Sequence, residues 1–306
     1  ERLKTLVLDG GDQLGGQAVT STLIENYPGF ADGVTGADLT ASMIGQALKF
    51  NVDLQAPLQV EDIDVTDEGM RIEDETETYM GRVVLVSCGV QYRRHNARNM
   101  SAYLGRGVTY GSPHLASQYK NKQLFVVGGA NSAGQAAMHL SKHTDCSVHM
   151  LVRGKSIDEK MSAYLADRIK TKENIQVHTE TDIIEVNGDD NLQTVTVKKD
   201  DKEIVMKADR LFLLIGAVPK TKWMPEQVAR DDFGFVLVGS DLPEEARAQF
   251  TEKCNRQPYA HETSVPGLFV AGDVRSGSIK RIASAVGDGS AVVPEIHRYL
   301  DIQTAT

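Results

Sequence analysis

The segment Gln123–Gly134, QLFVVGGANSAG, decides the fold. Leu124, Phe125, Val126 and Val127 form a continuous apolar run, which suits a strand buried on both faces. The run breaks at Gly128-Gly129. Beyond it Ala136, Ala137 and Leu140 fall on one face of a helix-like segment. Strand, glycine turn and helix start in that order make a socket for a pyrophosphate, because the first helical amides are unpaired and sit at the positive end of the helix dipole. Through Val152 the chain reads as a second strand, which completes a strand–helix–strand unit.

Working outward, Leu6–Leu8 reads as a strand ending at Asp9, followed by a loop with Gly10, Gly11, Gly15 and Gly16. Asp38–Phe50 reads as a helix with Leu39, Met43, Ala47 and Leu48 on its apolar face. Residues 66–79 suit a small meander, and Val83–Val86 a buried strand broken at Cys88-Gly89. The glycine-rich stretch 105–112 is a plausible hinge. Met161–Thr171 reads as a helix, 194–206 as a hairpin, and Leu211–Ile215 as another buried strand. Gly267–Ala271 leads a strand into Gly272-Asp273, and 280–300 carries a long helical pattern. The alternation of strand and helix, with two nucleotide-type turns, favours α/β domains with largely parallel sheets.

The chain has 306 residues, 41% apolar and 25% charged, enough for two globular domains. A net charge of −9 argues against nucleic acid as the main partner. No apolar run is long enough for a membrane span, and no signal peptide is expected from these residues. The three cysteines, Cys88, Cys146 and Cys254, form no CxxC and no metal-site spacing. So sparse a set suits a reducing, cytoplasmic location.

Eight blocks in order then carry a resemblance, among them GGQAVTSTLIENYPGF (15–30), GRGVTYG (105–111), GGANSAGQAA (128–137), IGAVPKTKW (215–223), ETSVPGLFVAGDVR (262–275) and KRIASAVGDGSAVV (280–293). Over nearly its whole length the chain resembles the low-molecular-weight thioredoxin reductase family, two-domain flavoproteins. It resembles most the thioredoxin-reductase-like modules that bacteria often fuse to sensor or cyclic-nucleotide-binding domains. The resemblance implies two Rossmann-like nucleotide-binding domains: a discontinuous FAD domain at 1–112 and 235–306, interrupted by an NAD(P)H domain at 113–234. That family's first strand carries a GxGxxG loop for the FAD pyrophosphate. This chain starts at Glu1, directly before what matches the second strand, so an upstream strand is expected to be missing from this sequence.

The resemblance also assigns residues. For FAD they are Asp9 at the adenosine ribose, Gly15, Gly16, Gln17 and Asn26 on the flavin side, and Gly89. Gly272 and Asp273 lie at the ribityl hydroxyls, with the helix-start residues Arg281, Ile282 and Ala283 at the ring. Asp9 and Asp273 also read plainly as a strand-end turn and a helix cap. For NAD(P)H they are Gly128, Gly129, Ala130, Asn131, Ser132, Ala133, Arg153 and Gly216. Ala130 stands where the pattern wants glycine. Arg153 is the cation left to face a 2′-phosphate, with Lys155 beside it and Asp158 where the family has a further arginine. NADPH and NADH both stay open.

Laid on the family, Gly111 and His114 occupy the two positions of the redox dithiol. Neither supplies a thiolate. His114 reads either as a proton donor near the flavin or as a solvated structural residue, and Cys88 as core packing. Two functions follow. One is a flavoenzyme that passes electrons from NAD(P)H to an unnamed acceptor, a redox protein among the candidates. The other is a catalytically degenerate module, sensory or interaction-mediating, that binds FAD and nucleotide with little turnover. By resemblance, either is expected to be a homodimer through 38–50 and 24–30.

Overall fold

The computed structural model describes residues 3–21, 23–110, 119–142 and 145–304. The longer elements of the first third are β1 Leu6–Leu8, α1 Gly36–Lys49, β2 Asp53–Gln55, β3 Asp62–Thr66, β4 Gly69–Glu73, β5 Thr78–Gly81 and β6 Val84–Val86. Next come β7 Val108–Tyr110, β8 Gln123–Val127, α2 Asn131–Leu140, β9 Ser147–Leu151, α3 Ala163–Lys170 and β10 Ile175–His178. The chain continues with β11 Asp182–Gly188, β12 Leu192–Lys199, β13 Lys202–Lys207, β14 Arg210–Leu213, α4 Glu244–Cys254, β15 Leu268–Val270 and α5 Ile282–Thr304.

Two compact units result, Tyr92–Ala217 and the interrupted pair Glu1–Gln91 with Val218–Thr306. Their boundaries fall earlier than 112/113 and 234/235. The stretch read as a hinge at 105–112 begins inside the continuous unit, because β7 pairs with β14 and buries Val108 completely.

In the continuous unit the parallel sheet runs β10-β9-β8-β14-β7. From β8 the chain steps out through β9 and β10, then returns to β14 on the other side of β8. The strand order therefore reverses between β8 and β14, where open α/β sheets place their ligands at the carboxyl ends. The period of two within β8 separates two cores. Leu124 and Val126 pack with Ala137 and Leu140 of α2 and with Leu165 and Ile169 of α3. Phe125 and Val127 pack with Val186, Val195 and Val197 of the antiparallel sheet β11-β12-β13.

The interrupted unit carries two separate parallel pairs, β1-β2 and β6-β15, and the antiparallel meander β3-β4-β5. Leu6 and Val7 remain 38% and 37% exposed, so β1 is a strand with an uncovered apolar surface. Leu268 and Val270 of β15 face one core with Val86 and Val236, while Phe269 faces Val292, Ile296 and Tyr299 on or beside α5. Helix α1 starts at Thr35, whose hydroxyl accepts from the Asp38 amide at 3.1 Å.

Candidate nucleotide-binding sites

In the Tyr92–Ala217 unit the crevice is built from the ends of β8, β9 and β14. Gly128 has φ +145°, and its amide donates to Leu151 O at 3.1 Å. A Cβ there would lie 2.5 Å from Leu214 O, so the turn admits only glycine. Ala130 is extended, with φ −102° and ψ 177°, and caps α2 through its carbonyl, which accepts from Ala133 and Gly134. Any L-residue takes that conformation, so the missing glycine costs the backbone nothing. The amides of Asn131 and Ser132 have no acceptor among the described residues and open at the helix start. The Asn131 side chain serves elsewhere: its Oδ1 accepts from the Ser162 amide at 2.8 Å, ahead of α3. Ala133 is fully buried, and Gly129 lies against Val152.

A cavity of about 450 Å³ opens beside these strand ends. Its walls include Arg93, Arg94, His95, Arg153, Asp182 and Ile215. Arg153 stands two residues past the end of β9, near where the second strand of a dinucleotide fold meets the adenosine ribose. The Arg93 amide donates to Gly216 O at 3.1 Å, which fixes this segment to the turn after β14. His95 Nδ1 accepts from the Ala97 amide at 3.2 Å, so its proton sits on Nε2, 3.0 Å from Asp182 Oδ1. Burial works against the Asp182 charge. The His95 hydrogen bond, then the charges of His95 and Arg153, still hold it below the ordinary carboxylate range.

Arg153 is therefore not the only cation in place: Arg93 and Arg94 share its cavity. The Arg-Arg pair is plain in the sequence, but only the fold brings it to β9. Asp158, by contrast, is tied to Lys170 at 2.7 Å and lies outside the cavity lining.

In the interrupted unit the ends of β6 and β15 lie side by side, with Ala271 N donating to Val86 O at 3.1 Å. The Gln17 side-chain amide donates to Val90 O, next to Gly89. Gly272 has φ +78°, and its amide donates to Asp288 Oδ2 at 3.1 Å. Arg275 Nε holds the same oxygen at 3.1 Å. The half-buried Asp273 carboxylate has no hydrogen-bond partner among the described residues, and burial raises its pKa against the opposing charge of Lys280. Lys280 was missed by sequence reasoning, although it immediately precedes Arg281. Its Nζ donates to Asp273 O at 2.7 Å and lies 4.2 Å over the Phe235 ring. Helix α5 begins at Ile282 with Ala285 N donating to Arg281 O at 3.0 Å, which leaves the Ile282, Ala283 and Ser284 amides without a backbone acceptor. An unpartnered carboxylate and an open helix start fit the hydroxyl-rich, polar end of a flavin cofactor.

Asp9 and Asn26 are not joined to this group by any described contact. Asp9 Oδ1 accepts from Gly11 N at 2.8 Å in a strand-end turn. Asn26 belongs to the loop 25–31, which curls around a space of about 550 Å³ of its own. Gly15 and Gly16 lead into a 3-10 turn, Gly16–Thr20. Cys88, expected in the core, is exposed, because β6 ends at Val86 and the chain has left the sheet. Crowding around its sulfur nevertheless pushes the thiol up to about 11. Gly111 and His114 lie outside the described residues. Among the described residues no cluster suits a metal ion, and no helix is long and apolar enough to cross a membrane.

The profile of the pyridine nucleotide-disulphide oxidoreductase family matches residues 1–289. A thioredoxin reductase of Listeria monocytogenes is 28% identical over 302 residues, covering 98% of this chain and 87% of that protein. The NADPH-dependent thioredoxin reductase 3 of Arabidopsis thaliana is 29% identical over 307 residues, covering 97% of this chain and 54% of that protein. The thioredoxin reductase structure from Giardia duodenalis aligns with a TM-score of 0.82 at 26% identity, covering 97% of this chain and 91% of that one. With a parallel sheet ending in a glycine turn, a helix start and a basic cavity, this chain belongs to the pyridine nucleotide-disulphide oxidoreductase family and is thioredoxin-reductase-like in sequence and fold.

Proposed function

We propose that this protein is an FAD-dependent oxidoreductase that takes electrons from NADPH in its Tyr92–Ala217 unit and delivers them to an acceptor without a resident dithiol. One observation carries the reading: the open amides at α2 follow β8, and a cavity lined by three arginines lies beside the ends of the neighbouring strands β9 and β14. The helix start suits the pyrophosphate and the arginines suit a further phosphate. When bound, FAD supplies hydride acceptance and onward electron transfer. The chain's part would be to hold it: Asp273 would accept from ribityl hydroxyls, and the first amides of α5 would serve the ring.

The chemistry of the sulfurs supports the second half of the reading. Relay through a dithiol needs a thiolate and a resolving partner. Gly111 and His114 offer neither, and Cys146 is buried. Cys88, with its thiol near 11, stays protonated at neutral pH. The acceptor is then a redox protein, a quinone, a small disulfide or oxygen. Exposed Leu48 and Phe50 at the end of α1 support two-fold association through that helix and the 24–30 loop, and sedimentation at micromolar concentration tests it.

The test is anaerobic mixing of flavin-loaded protein with NADPH. Loss of flavin absorbance near about 450 nm, with no thioredoxin reduction above about 1 per second, is the expected result. A flavin that neither dinucleotide bleaches would leave only a binding module.

A further inference from the structure

Behind the Gly272 turn lies a row of ionisable side chains that no step of the flavin reading uses. Helix α5 carries Asp288 and Glu295 seven residues apart, so two helical turns set them on one face. Val292 falls between them on that face, fully buried in the core that Phe269 of β15 shares. His261 stands against both carboxylates. Its carbonyl accepts from Val270 N at 2.9 Å and its amide donates to Glu295 Oε2 at 2.9 Å, which pins its backbone between β15 and α5. Its Nδ1 is 3.0 Å from Glu295 Oε1, and its Nε2 is 3.9 Å from Asp288 Oδ1. An ionised carboxylate only accepts, so the Nδ1 proton points at Glu295 and Nε2 is left facing Asp288. The His261, Glu295 and Asp288 side chains are only 12%, 13% and 19% exposed, so water screens the row little. Asp288 carries it onward: besides the Gly272 amide it holds Arg275, whose Nη2 lies 3.3 Å from Oδ1. Burial works against the Asp288 charge. The Arg275 bond, the Gly272 amide, then the charges of Arg275 and His261 hold it below the ordinary carboxylate range. The Asp288 charge in turn is felt at Asp273, after burial and Lys280.

We propose that His261 is a positioning residue of the flavin site: anchored by Glu295, it orients Asp288 and, through Asp288, the Gly272–Asp273 turn. The proposal rests on the reading of that turn as the flavin's ribityl contact and names residues that act behind it. No backbone atom crowds Gly272, so the shape of the turn depends on what its amide donates to. To keep that bond the Asp288 carboxylate must hold Oδ2 toward Gly272. Two groups direct it there: Arg275, which reaches both oxygens, and His261, which faces Oδ1. Without the imidazole, Glu295 keeps the backbone amide at 261, and two largely buried carboxylates share one helix face with no ring between them. Asp288 is then freed on its Oδ1 side, and the Gly272 amide loses a fixed acceptor.

The experiment measures the FAD affinity of the full chain by flavin fluorescence, with urea unfolding of each protein alongside. His261→Ala should weaken FAD binding roughly tenfold. In His261→Gln the amide nitrogen takes the place of Nε2 and can donate to Asp288, so affinity should stay within about threefold of wild type. In His261→Asn the amide nitrogen takes the place of Nδ1 and serves Glu295 alone, so the loss should approach that of alanine. In an Asp288→Asn background His261→Ala should cost less than about twofold more, because His261 acts through Asp288. Phe250→Leu, a core change on α4, should lower the unfolding free energy yet leave FAD affinity within about twofold, which separates stability from positioning. Wild-type affinity in His261→Ala, an asparagine variant that binds better than the glutamine one, or losses that add fully in the Asp288→Asn background each overturn the proposal and leave the flavin site standing. A wild type that binds no FAD overturns both. Should His261→Ala fail to fold, the comparison of glutamine with asparagine decides alone.

Discussion

Gly128 and Gly272 each end a buried parallel strand and turn the chain at a positive φ, yet they are held by different means. At Gly128 a side chain would meet the Leu214 carbonyl at 2.5 Å, so the neighbouring strand β14 itself fixes the turn. At Gly272 the nearest atom to an added Cβ is that of Ala285 at 3.4 Å, an ordinary contact. That turn is held instead by Asp288, which accepts from the Gly272 amide and from Arg275. One turn is set by backbone sterics, the other by ionisable side chains. The difference predicts that the two units respond differently to substitution and to pH.

The largest effect should come from the glycines themselves. Gly128→Ala should cost about 3 kcal/mol or more, from a forbidden φ and a clash with backbone. Gly272→Ala should cost about 1–2 kcal/mol, from φ alone. Denaturant unfolding of both variants checks the ranking, and equal losses would break the contrast.

A smaller effect should follow from acid. His149, on β9, is buried against Phe125, with Nδ1 3.1 Å from His178 Nε2 and Nε2 3.0 Å from Gln123 Oε1. Burial first, then His178, pushes its pKa down to about 4. Because the unfolded chain takes up that proton near its ordinary value of about 6.5, stability is complete above that pH and is lost as pH falls toward about 4. The loss should be on the order of 1–2 kcal/mol after solvent screening. His149→Gln should flatten the stability–pH curve in that window. An unchanged slope would show that acid sensitivity lies elsewhere.

The smallest effect has the opposite sign. Burial raises the Asp273 pKa, so the folded state disfavours its charge at neutral pH. Asp273→Asn should stabilise the protein by about half a kcal/mol once screening is allowed for, yet weaken flavin retention. Thermal unfolding and flavin content after gel filtration measure the two sides, and a variant that both loses stability and keeps its flavin contradicts the assigned role.

How much of this was legible in the sequence follows from the physics of each piece. The unit around Gln123–Leu151 was readable because β8 and β9 are buried on both faces and leave unbroken apolar runs. Strand β11 was not, since DIIEVNG mixes polar and apolar residues and its pairing with β12 slips register twice. Helix α4 was missed because Phe250 is its only buried residue, which leaves little periodicity to detect. Of the site, the glycine turns and Asp273 could be named from motifs. Arg93 and Arg94 could not, because nothing local says that the segment after β6 returns to line a cavity with Arg153. Cys88 misled for a related reason: a strand's apolar run does not reveal on which residue the sheet ends.

The most direct test of the central claim is an anaerobic reductive titration of the flavin-loaded protein with NADPH. A flavoprotein without a dithiol should reach full bleaching after about one NADPH per flavin, that is about two electrons. Uptake of about four electrons per flavin, together with the disappearance of two thiol-reactive equivalents on reoxidation, would show a redox disulfide in the chain and contradict the account.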